Sequence, residues 1–355
     1  MLPYIMILIL FATLALLSKA ESYTESGVRL EGKTFALLTS CFLLYLLTIL
    51  KSPITGDYSR YADNFFNSVK YTFTFYLERK KEAGFYMFTK LLSEIQYNTF
   101  FYFAVTSAIL YLCLFFFLKK YAVNKLYAIY FYYTIGLFAF SLAGLRQSLA
   151  MSICLFAYGM IRKRKPVAFI IIVAIAFLFH KSAVFFLPAY FIGRIPWKAK
   201  YHFAILAGYG LLGIFFDRFY YLVASWMDYD YGIESTGNGS IFLIILLIIG
   251  FLGVVYRKEL IAADKESLLF LNMHFVVILL WIFRLFTRTA ERPALYYLYG
   301  SIILLDRILS LRSEEREKEV TRKCILLCSV VLFGVFFLYR TLRDGNLIPY
   351  ISIFH

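Results

Sequence analysis

Two pairs of polar residues interrupt long apolar segments of this chain, at positions where a charge is costly. Arg146 and Gln147 form one pair, and His180 and Lys181 form the other. The basic turn 162–165 lies sixteen residues after Arg146 and ends fifteen residues before His180. If both segments are helices, a rise of about 1.5 Å per residue places both pairs roughly 22–24 Å from that turn. The spacing therefore predicts four polar side chains at one depth on neighbouring antiparallel helices.

The depth of these side chains restricts what can surround them. A hydrocarbon core is about 30 Å thick, so cations at this height need water or protein around them. We expect Arg146 to line a cavity and His180 to be a candidate general base, because imidazole accepts a proton near neutral pH. Two other interpretations stay open. Arg146 could be a structural cation paired with Asp57 or a helix-end carbonyl, and His180 could be a core histidine with satisfied hydrogen bonds.

Three further arginines approach the same side from a later helix. Arg284 lies seventeen residues after Ser267, at a comparable height, and Arg288 and Arg292 follow it at intervals of one turn. Taken singly, each could extend to lipid headgroups. Taken with Arg146, they predict an anion site, because planar guanidinium groups bind phosphate through paired, charge-assisted hydrogen bonds. A phosphate held within a membrane cavity indicates a lipid-linked phosphate or diphosphate.

The composition predicts the elements that position these residues. Of 355 residues, 61% are hydrophobic and only 17% are charged, whereas soluble domains carry about a quarter charged residues. The apolar runs approach the ~20 residues of a spanning helix and do not alternate as barrel strands do. We therefore expect an all-α, polytopic membrane protein with a single transmembrane domain over 1–355. About twelve spans are predicted, at 2–18, 34–50, 98–118, 126–142, 145–161, 166–180, 182–197, 201–216, 240–256, 268–286, 293–309 and 323–340.

The distribution of positive charge predicts the orientation of these spans. The densest basic loops all fall on one side, which the positive-inside rule assigns to the cytoplasm, so both termini are expected outside. Three segments then lie on the outer side: the loop 51–97, the loop 217–239 and the tail 341–355. Unmatched positive charge lies near the outer helix ends on this side, including Arg340 and Arg343. The aromatics of the two loops suit either an interfacial belt or stacking on sugars.

The remaining composition excludes other classes of function. The net charge of +15 is explained by basic loops that meet anionic lipid, and no nucleic-acid partner is expected. All five cysteines lie in apolar runs, so they predict buried hydrophobes and no disulfide framework. Cys324 and Cys328 stand one turn apart, but no histidine or carboxylate joins them, and we expect no metal site.

Short motifs carry a resemblance to a known family. The segments 144–150 (GLRQSLA) and 178–183 (LFHKSA) stand in order on either side of a helix and a basic turn. In them the chain resembles the EpsG family of Wzy-like polysaccharide polymerases. Further matches are Gly56-Asp57-Tyr58 with Tyr61, Glu82 to Phe85 (where Ala83 replaces a proline common in the family) and Ile348-Pro349-Tyr350.

The resemblance implies a multi-pass glycosyltransferase of the bacterial cytoplasmic membrane, similar in architecture to GT-C enzymes. Such proteins join oligosaccharide repeat units carried on undecaprenyl pyrophosphate at the outer face, making O-antigen, capsule or exopolysaccharide, without a metal or other cofactor. Membrane lipids and a chain-length regulator protein are the other candidate partners.

The family resemblance also gives the polar residues expected roles. Leaving-group stabilisation is expected of Arg146, with help from Arg284, Arg288 and Arg292. The proton acceptor is expected to be His180, with Asp57 as the alternative. Candidate substrate ligands are Gln147 and Lys181 for phosphate or sugar, and Tyr61, Glu82 and Tyr350 for saccharide.

Three competing functions share parts of this pattern. A flippase or exporter of lipid-linked oligosaccharide would also need a cationic cavity, but one accessible from both faces. An O-antigen ligase would share the chemistry with a different acceptor. A membrane acyltransferase would be expected to have its own histidine motif and a cytoplasmic acyl donor.

Overall fold

The protein is seen here in a computed structural model that describes residues 1–18, 33–52, 57–79, 82–198, 239–311, 315–344 and 347–354, with scattered positions between 207 and 225. This part of the chain is all-helical, as predicted, and its only β-type pairing is an isolated antiparallel bridge between Lys51 and Ser352. The predicted span 201–216 and the predicted loop 217–239 fall largely outside the described residues.

The helices follow the apolar runs closely, with several breaks. They are α1 Leu2–Leu17, α2 Thr34–Ile49, α3 Asp57–Ser68, α4 Phe73–Arg79, α5 Ala83–Ile95, α6 Thr99–Tyr121, α7 Lys125–Thr134, α8 Leu137–Ala143, α9 Leu145–Arg162, α10 Pro166–Phe179, α11 Ala189–Ile192, α12 Ser240–Val255, α13 Arg257–Ala263, α14 Ser267–Arg284, α15 Glu291–Ser310 and α16 Arg316–Thr341. Two 3₁₀-helices, Lys181–Phe186 and Arg288–Ala290, join α10 to α11 and α14 to α15.

Length and composition identify a membrane protein, although fewer helices qualify individually than the sequence predicts. Among the described residues, α6, α14 and α16 are each long and apolar enough to cross a bilayer. The number rises to five if two bent pairs, α7 with α8 (50°) and α12 with α13 (68°), each count as one span. Shorter apolar helices include α1, α2 and α10. The count of twelve spans stays a prediction.

The helix α15 lies at the centre of the molecule. Every residue from Pro293 to Ser310 is buried, and the helix packs against α14, α7, α12 and the 3₁₀-helix Lys181–Phe186. Such complete burial requires each polar side chain on α15 to find a partner inside the protein. The polar residues of α15 therefore connect the surrounding helices to one another.

Asp306, near the C-terminal end of α15, shows how these connections work. Its fully buried carboxylate accepts hydrogen bonds from the backbone N–H groups of Val123 (2.7 Å) and Asn124 (2.9 Å). These two residues form the turn between α6 and α7, where their amide groups have no hydrogen-bond partner within a helix. The next residue, Arg307, is also fully buried and forms an ion pair with Asp264 at 2.9 Å. This end of α15 is thus tied to two connecting turns.

We expect Asp306→Ala to lower the free energy of unfolding by roughly 2–4 kcal/mol, because two buried amide donors lose their acceptor. Asp306→Asn should cost less, since one acceptor oxygen remains. Thermal unfolding of the purified protein in detergent would measure the difference. Asp63→Asn, at an exposed position on α3, is the control and should leave the unfolding temperature unchanged. An equal effect of all three substitutions would contradict the proposed anchoring.

The predicted outer loop 51–97 contains three helices, α3, α4 and α5, rather than irregular chain. Helix α3 buries one face, which carries Tyr58, Tyr61, Ala62 and Phe65. The Tyr58 ring stacks on Phe103 of α6 with centroids 4.4 Å apart. The aromatics of this segment therefore attach it to the bundle, with Asp57 at the start of α3 and Glu82 immediately before α5.

Candidate active site

Helix ends from widely separated parts of the chain surround a cavity of about 570 Å³. Its walls come from the start of α3, the α8–α9 junction, the start of α12, the α14–α15 connection and the end of α16. Five arginines line it: Arg284, Arg288, Arg292, Arg340 and Arg343. Three carboxylates line it as well: Asp57, Glu291 and Asp344. Five positive and three negative side chains leave a net charge of +2, so the cavity favours an anion.

Four residues predicted from the sequence share this cavity, namely Asp57, Arg284, Arg288 and Arg292. The rest of its wall includes aromatic side chains: Phe140, Phe242, Trp281, Phe336 and Tyr339. Guanidinium groups suit phosphate, and aromatic faces beside carboxylates suit sugar rings and hydroxyls. The lining can therefore hold a ligand that is anionic at one end and a saccharide at the other.

Arg284 is the most deeply placed of these arginines. It is the last residue of α14 and is only 7% exposed. Its Nε donates to Oε2 of Glu291 at 3.0 Å, but its Nη1 is buried and has no hydrogen-bond partner among the described residues. A buried charged donor without an acceptor is costly to maintain. In a wall of the cavity, such a donor indicates an anionic ligand.

Gln147 holds Arg292 in position at the cavity wall. The Gln147 side-chain amide donates to the Arg292 backbone carbonyl at 2.7 Å, and Arg292 Nη1 donates to Gln147 Oε1 at 3.1 Å. The Arg292 guanidinium also lies over the Phe140 ring, 5.7 Å from its centroid. Gln147 was predicted as a substrate ligand, but both ends of its amide are used to position an arginine.

Arg146 does not line the cavity. Its Nη1 donates instead to Oε2 of Glu82 at 2.6 Å, across from the start of α5. The other carboxylate oxygen of Glu82 accepts the backbone N–H of Lys181 at 3.2 Å and lies 3.9 Å from Nε2 of His180. From the sequence, Asp57 was one candidate partner of Arg146. The structure shows Glu82 in that place, at the centre of a polar cluster with Arg146, His180 and Lys181.

A glycine explains how Glu82 reaches this position. A Cβ atom on Gly84 would lie 2.7 Å from Cβ of Leu178 and 3.0 Å from its carbonyl oxygen. Only glycine allows the start of α5 to pack this closely against the end of α10. Since His180 follows Leu178 by two residues, this contact brings the carboxylate of Glu82 to the imidazole.

The hydrogen bonds of His180 fix its tautomer. The backbone N–H of Ser182 donates to Nδ1 at 3.2 Å, so Nδ1 carries a lone pair and the proton of the neutral ring is on Nε2. Ser182 Oγ lies 2.6 Å from the same Nδ1 and 3.1 Å from the Tyr296 hydroxyl, which can donate to it. The ring is only 2% exposed. In this tautomer the protonated Nε2 lies 3.9 Å from Oε1 of Glu82, near the carboxylate but beyond hydrogen-bond distance.

The other predicted site residues have different surroundings. Tyr61 is buried beside Arg146: burial raises the pKa of its hydroxyl, and the guanidinium charge opposes that rise. Lys181 is buried within the Glu82 cluster, where its backbone N–H donates to the carboxylate. Tyr350 lies apart from the cavity lining, and its hydroxyl donates to the Leu47 carbonyl at 3.2 Å.

Arg340 and Arg343 were not predicted as site residues. The sequence did place unmatched positive charge at the outer end of the last span, and that charge was the available signal. No sequence pattern predicted that this end packs against the α14–α15 connection, which lies about fifty residues earlier in the chain.

Comparison with known proteins gives one result over nearly the whole chain. No curated protein and no solved structure matches the sequence detectably. The EpsG family model, in contrast, matches residues 33–352, a range that contains the arginine-lined cavity and the Glu82 cluster. The chain therefore belongs to the EpsG family, a family of Wzy-like polysaccharide polymerases.

Proposed function

We propose that this protein polymerises oligosaccharide repeat units carried on undecaprenyl pyrophosphate, at the outer face of a bacterial cytoplasmic membrane. Family membership supports polysaccharide polymerisation as the reaction. The observation that carries the substrate assignment is the cavity lined by five arginines, in which Arg284 Nη1 is buried without an acceptor in the part of the chain that the structure describes. A diphosphate supplies acceptors of the required charge, and the aromatic wall suits the attached sugar.

The chemistry required is transfer of a glycosyl group from diphosphate to a sugar hydroxyl. The acceptor oxygen forms a bond to the anomeric carbon while the bond from that carbon to the phosphate oxygen breaks. The electron pair leaves with the diphosphate, and the hydroxyl proton passes to a base. Because negative charge grows on the leaving group, preorganised arginines stabilise the transition state more than the ground state. Arg284, Arg288 and Arg292 take this role.

The base must lie near the reacting oxygen and have a free lone pair. Asp57 lines the cavity and pairs with Arg60 at the start of α3. In the tautomer described above, both ring nitrogens of His180 are already engaged or protonated. We therefore propose Asp57 as the proton acceptor and His180 as a positioning residue for Glu82, which reverses the order of preference expected from the sequence.

Substitution in a strain lacking this gene would separate these two roles. Asp57→Asn should lower polymer formation by about 10²–10⁴-fold, the usual contribution of a general base. His180→Gln should reduce it less, because the arginine-lined cavity remains. The measurement is the length distribution of the surface polysaccharide at matched protein levels. Long chains with Asp57→Asn, together with their loss in His180→Gln, would return the role of base to His180.

The same strain would distinguish polymerase from flippase. Without a polymerase, single repeat units on the lipid carrier accumulate at the outer face, where an added membrane-impermeant glycosidase can reach them. Without a flippase, they accumulate at the inner face and stay protected in intact cells. Protected single units in the deletion strain would reject the proposed function.

A further inference from the structure

The break between α7 and α8 is in direct contact with Arg340, one of the arginines that line the cavity. Gly136 adopts a left-handed conformation (φ 110°), and the Arg340 guanidinium occupies the space that a Cβ atom would take there. The φ value favours glycine at this position, and a side chain there would displace the flexible end of Arg340. The break lets the end of α16 bring Arg340 against the start of α8.

Arg340 stands on the opposite side of Glu291 from Arg284. Oε2 of Glu291 accepts from Arg284 Nε at 3.0 Å, while Oε1 lies 3.9 Å from Arg340 Nη2, too far for a direct hydrogen bond. One carboxylate thus stands between two guanidinium groups and satisfies only the first of them well. Arg284 Nη1 is buried beside them, and no described residue supplies an acceptor for it. The two arginines have more donor capacity than the described carboxylate uses.

We propose that Arg340 is a phosphate-binding residue of this cavity, acting with Arg284, and that Gly136 is the positioning residue that admits its guanidinium. The proposal rests on the assignment of the cavity to a phosphate-bearing substrate. It adds a binding group from the last helix to the arginines of the α14–α15 connection. A diphosphate that bridges the two guanidinium groups provides the acceptors that Glu291 alone does not.

Titration of the purified full-length protein with inorganic pyrophosphate tests this assignment. Nanodiscs of phosphatidylcholine keep anionic headgroups out of the measurement, and calorimetry gives the affinity. Arg340→Ala should weaken binding roughly 10- to 100-fold, as expected for loss of a charged hydrogen-bond donor. Arg340→Lys should recover only part of the loss, because it keeps the charge without the planar fork. Arg316→Gln, exposed at the other end of the same helix, is the control and should bind as the native protein does.

A double-mutant cycle tests the role of Gly136. Gly136→Ala should weaken pyrophosphate binding by displacing Arg340, so the double variant with Arg340→Ala should bind no more weakly than Arg340→Ala alone. A purely structural effect of the alanine would instead add to the loss. Unfolding temperatures of all variants show whether each is folded, and Arg340→Ala alone decides the proposal if Gly136→Ala does not fold.

Two results would overturn the proposal: native affinity in Arg340→Ala, or no pyrophosphate binding by the native protein. The polysaccharide of the deletion strain reports separately on the polymerase function. If Arg340→Ala loses pyrophosphate binding while the deletion strain still makes normal long chains, the assignment of Arg340 is supported and only the polymerase function is rejected.

Discussion

Arg284→Ala should leave single repeat units on the lipid carrier and abolish long polysaccharide chains. Arg284 combines deep burial, a fixed Nε bond to Glu291 and a donor with no described acceptor. Loss of one preorganised donor to a developing negative charge commonly costs about 10²–10³-fold in rate. We expect this effect, because the leaving diphosphate would lose its most enclosed contact.

Two further variants make this prediction sharper. Arg284→Lys keeps a positive charge but loses the second donor, so it should restore little activity if geometry matters. Arg162→Gln removes an arginine at the opposite end of the bundle, where it pairs with Glu266 at 2.7 Å, and should leave chain length unchanged. Normal long chains in Arg284→Ala, at matched protein levels, would mean that the cavity does not bind the leaving group.

The second large effect is expected from Glu82, because its carboxylate connects Arg146 with the segment that carries His180 and Lys181. Glu82→Ala leaves these groups without their shared acceptor in a largely buried setting. Removing one partner of a buried ion pair costs about 3–5 kcal/mol, and Arg146, which is partly exposed, places this pair at the lower end. We expect a clear fall in unfolding temperature together with loss of polymer.

Comparison with Arg146→Ala tests whether the pair acts as a unit. If Glu82 and Arg146 depend on each other, the double variant should be little less stable than either single variant. Glu82→Gln should be intermediate, because its oxygen can still accept the Lys181 N–H. Strictly additive losses in unfolding temperature would show that the two side chains contribute independently.

Gly84→Ala should reproduce the loss of Glu82 function without changing the carboxylate. Its Cβ would meet Leu178 at 2.7 Å and move the start of α5 away from α10. Gly208→Ala is a matched control, since a Cβ there meets no described atom within 4 Å. Equal activity in the two alanine variants would show that α5 tolerates the displacement.

The sequence predicted most helices because long apolar runs with few charges leave little choice in a bilayer. It did not predict the helices of 51–97, where polar residues outnumber the apolar ones. The signal was present all the same: Tyr58, Tyr61, Ala62 and Phe65 follow helical spacing and form the buried face of α3. The break at Gly136 was also missed, since a single glycine inside an apolar run does not reveal a left-handed conformation.

The candidate site, too, was predicted only in part. Arg146 and His180 were predicted to lie at one depth in the membrane, and the structure places both beside the Glu82 carboxylate. The spacing of residues could not identify Glu82 as their common partner, because that contact joins the start of α5 to the end of α10 over about a hundred residues. Arg340 was missed for the same reason. Pairing between distant helices depends on packing that no local pattern encodes.

Arg340 lies in the last turn of α16 and Arg343 lies just beyond it, which has a consequence for biosynthesis. A nascent chain that has passed Arg292 but not Arg340 contains the arginines of the α14–α15 connection but lacks the wall that α16 contributes. The cavity can therefore be completed only after α16 has been synthesised, because every other helix that lines it comes earlier in the chain. Until then, a nascent chain has the arginines of the α14–α15 connection without the facing Arg340.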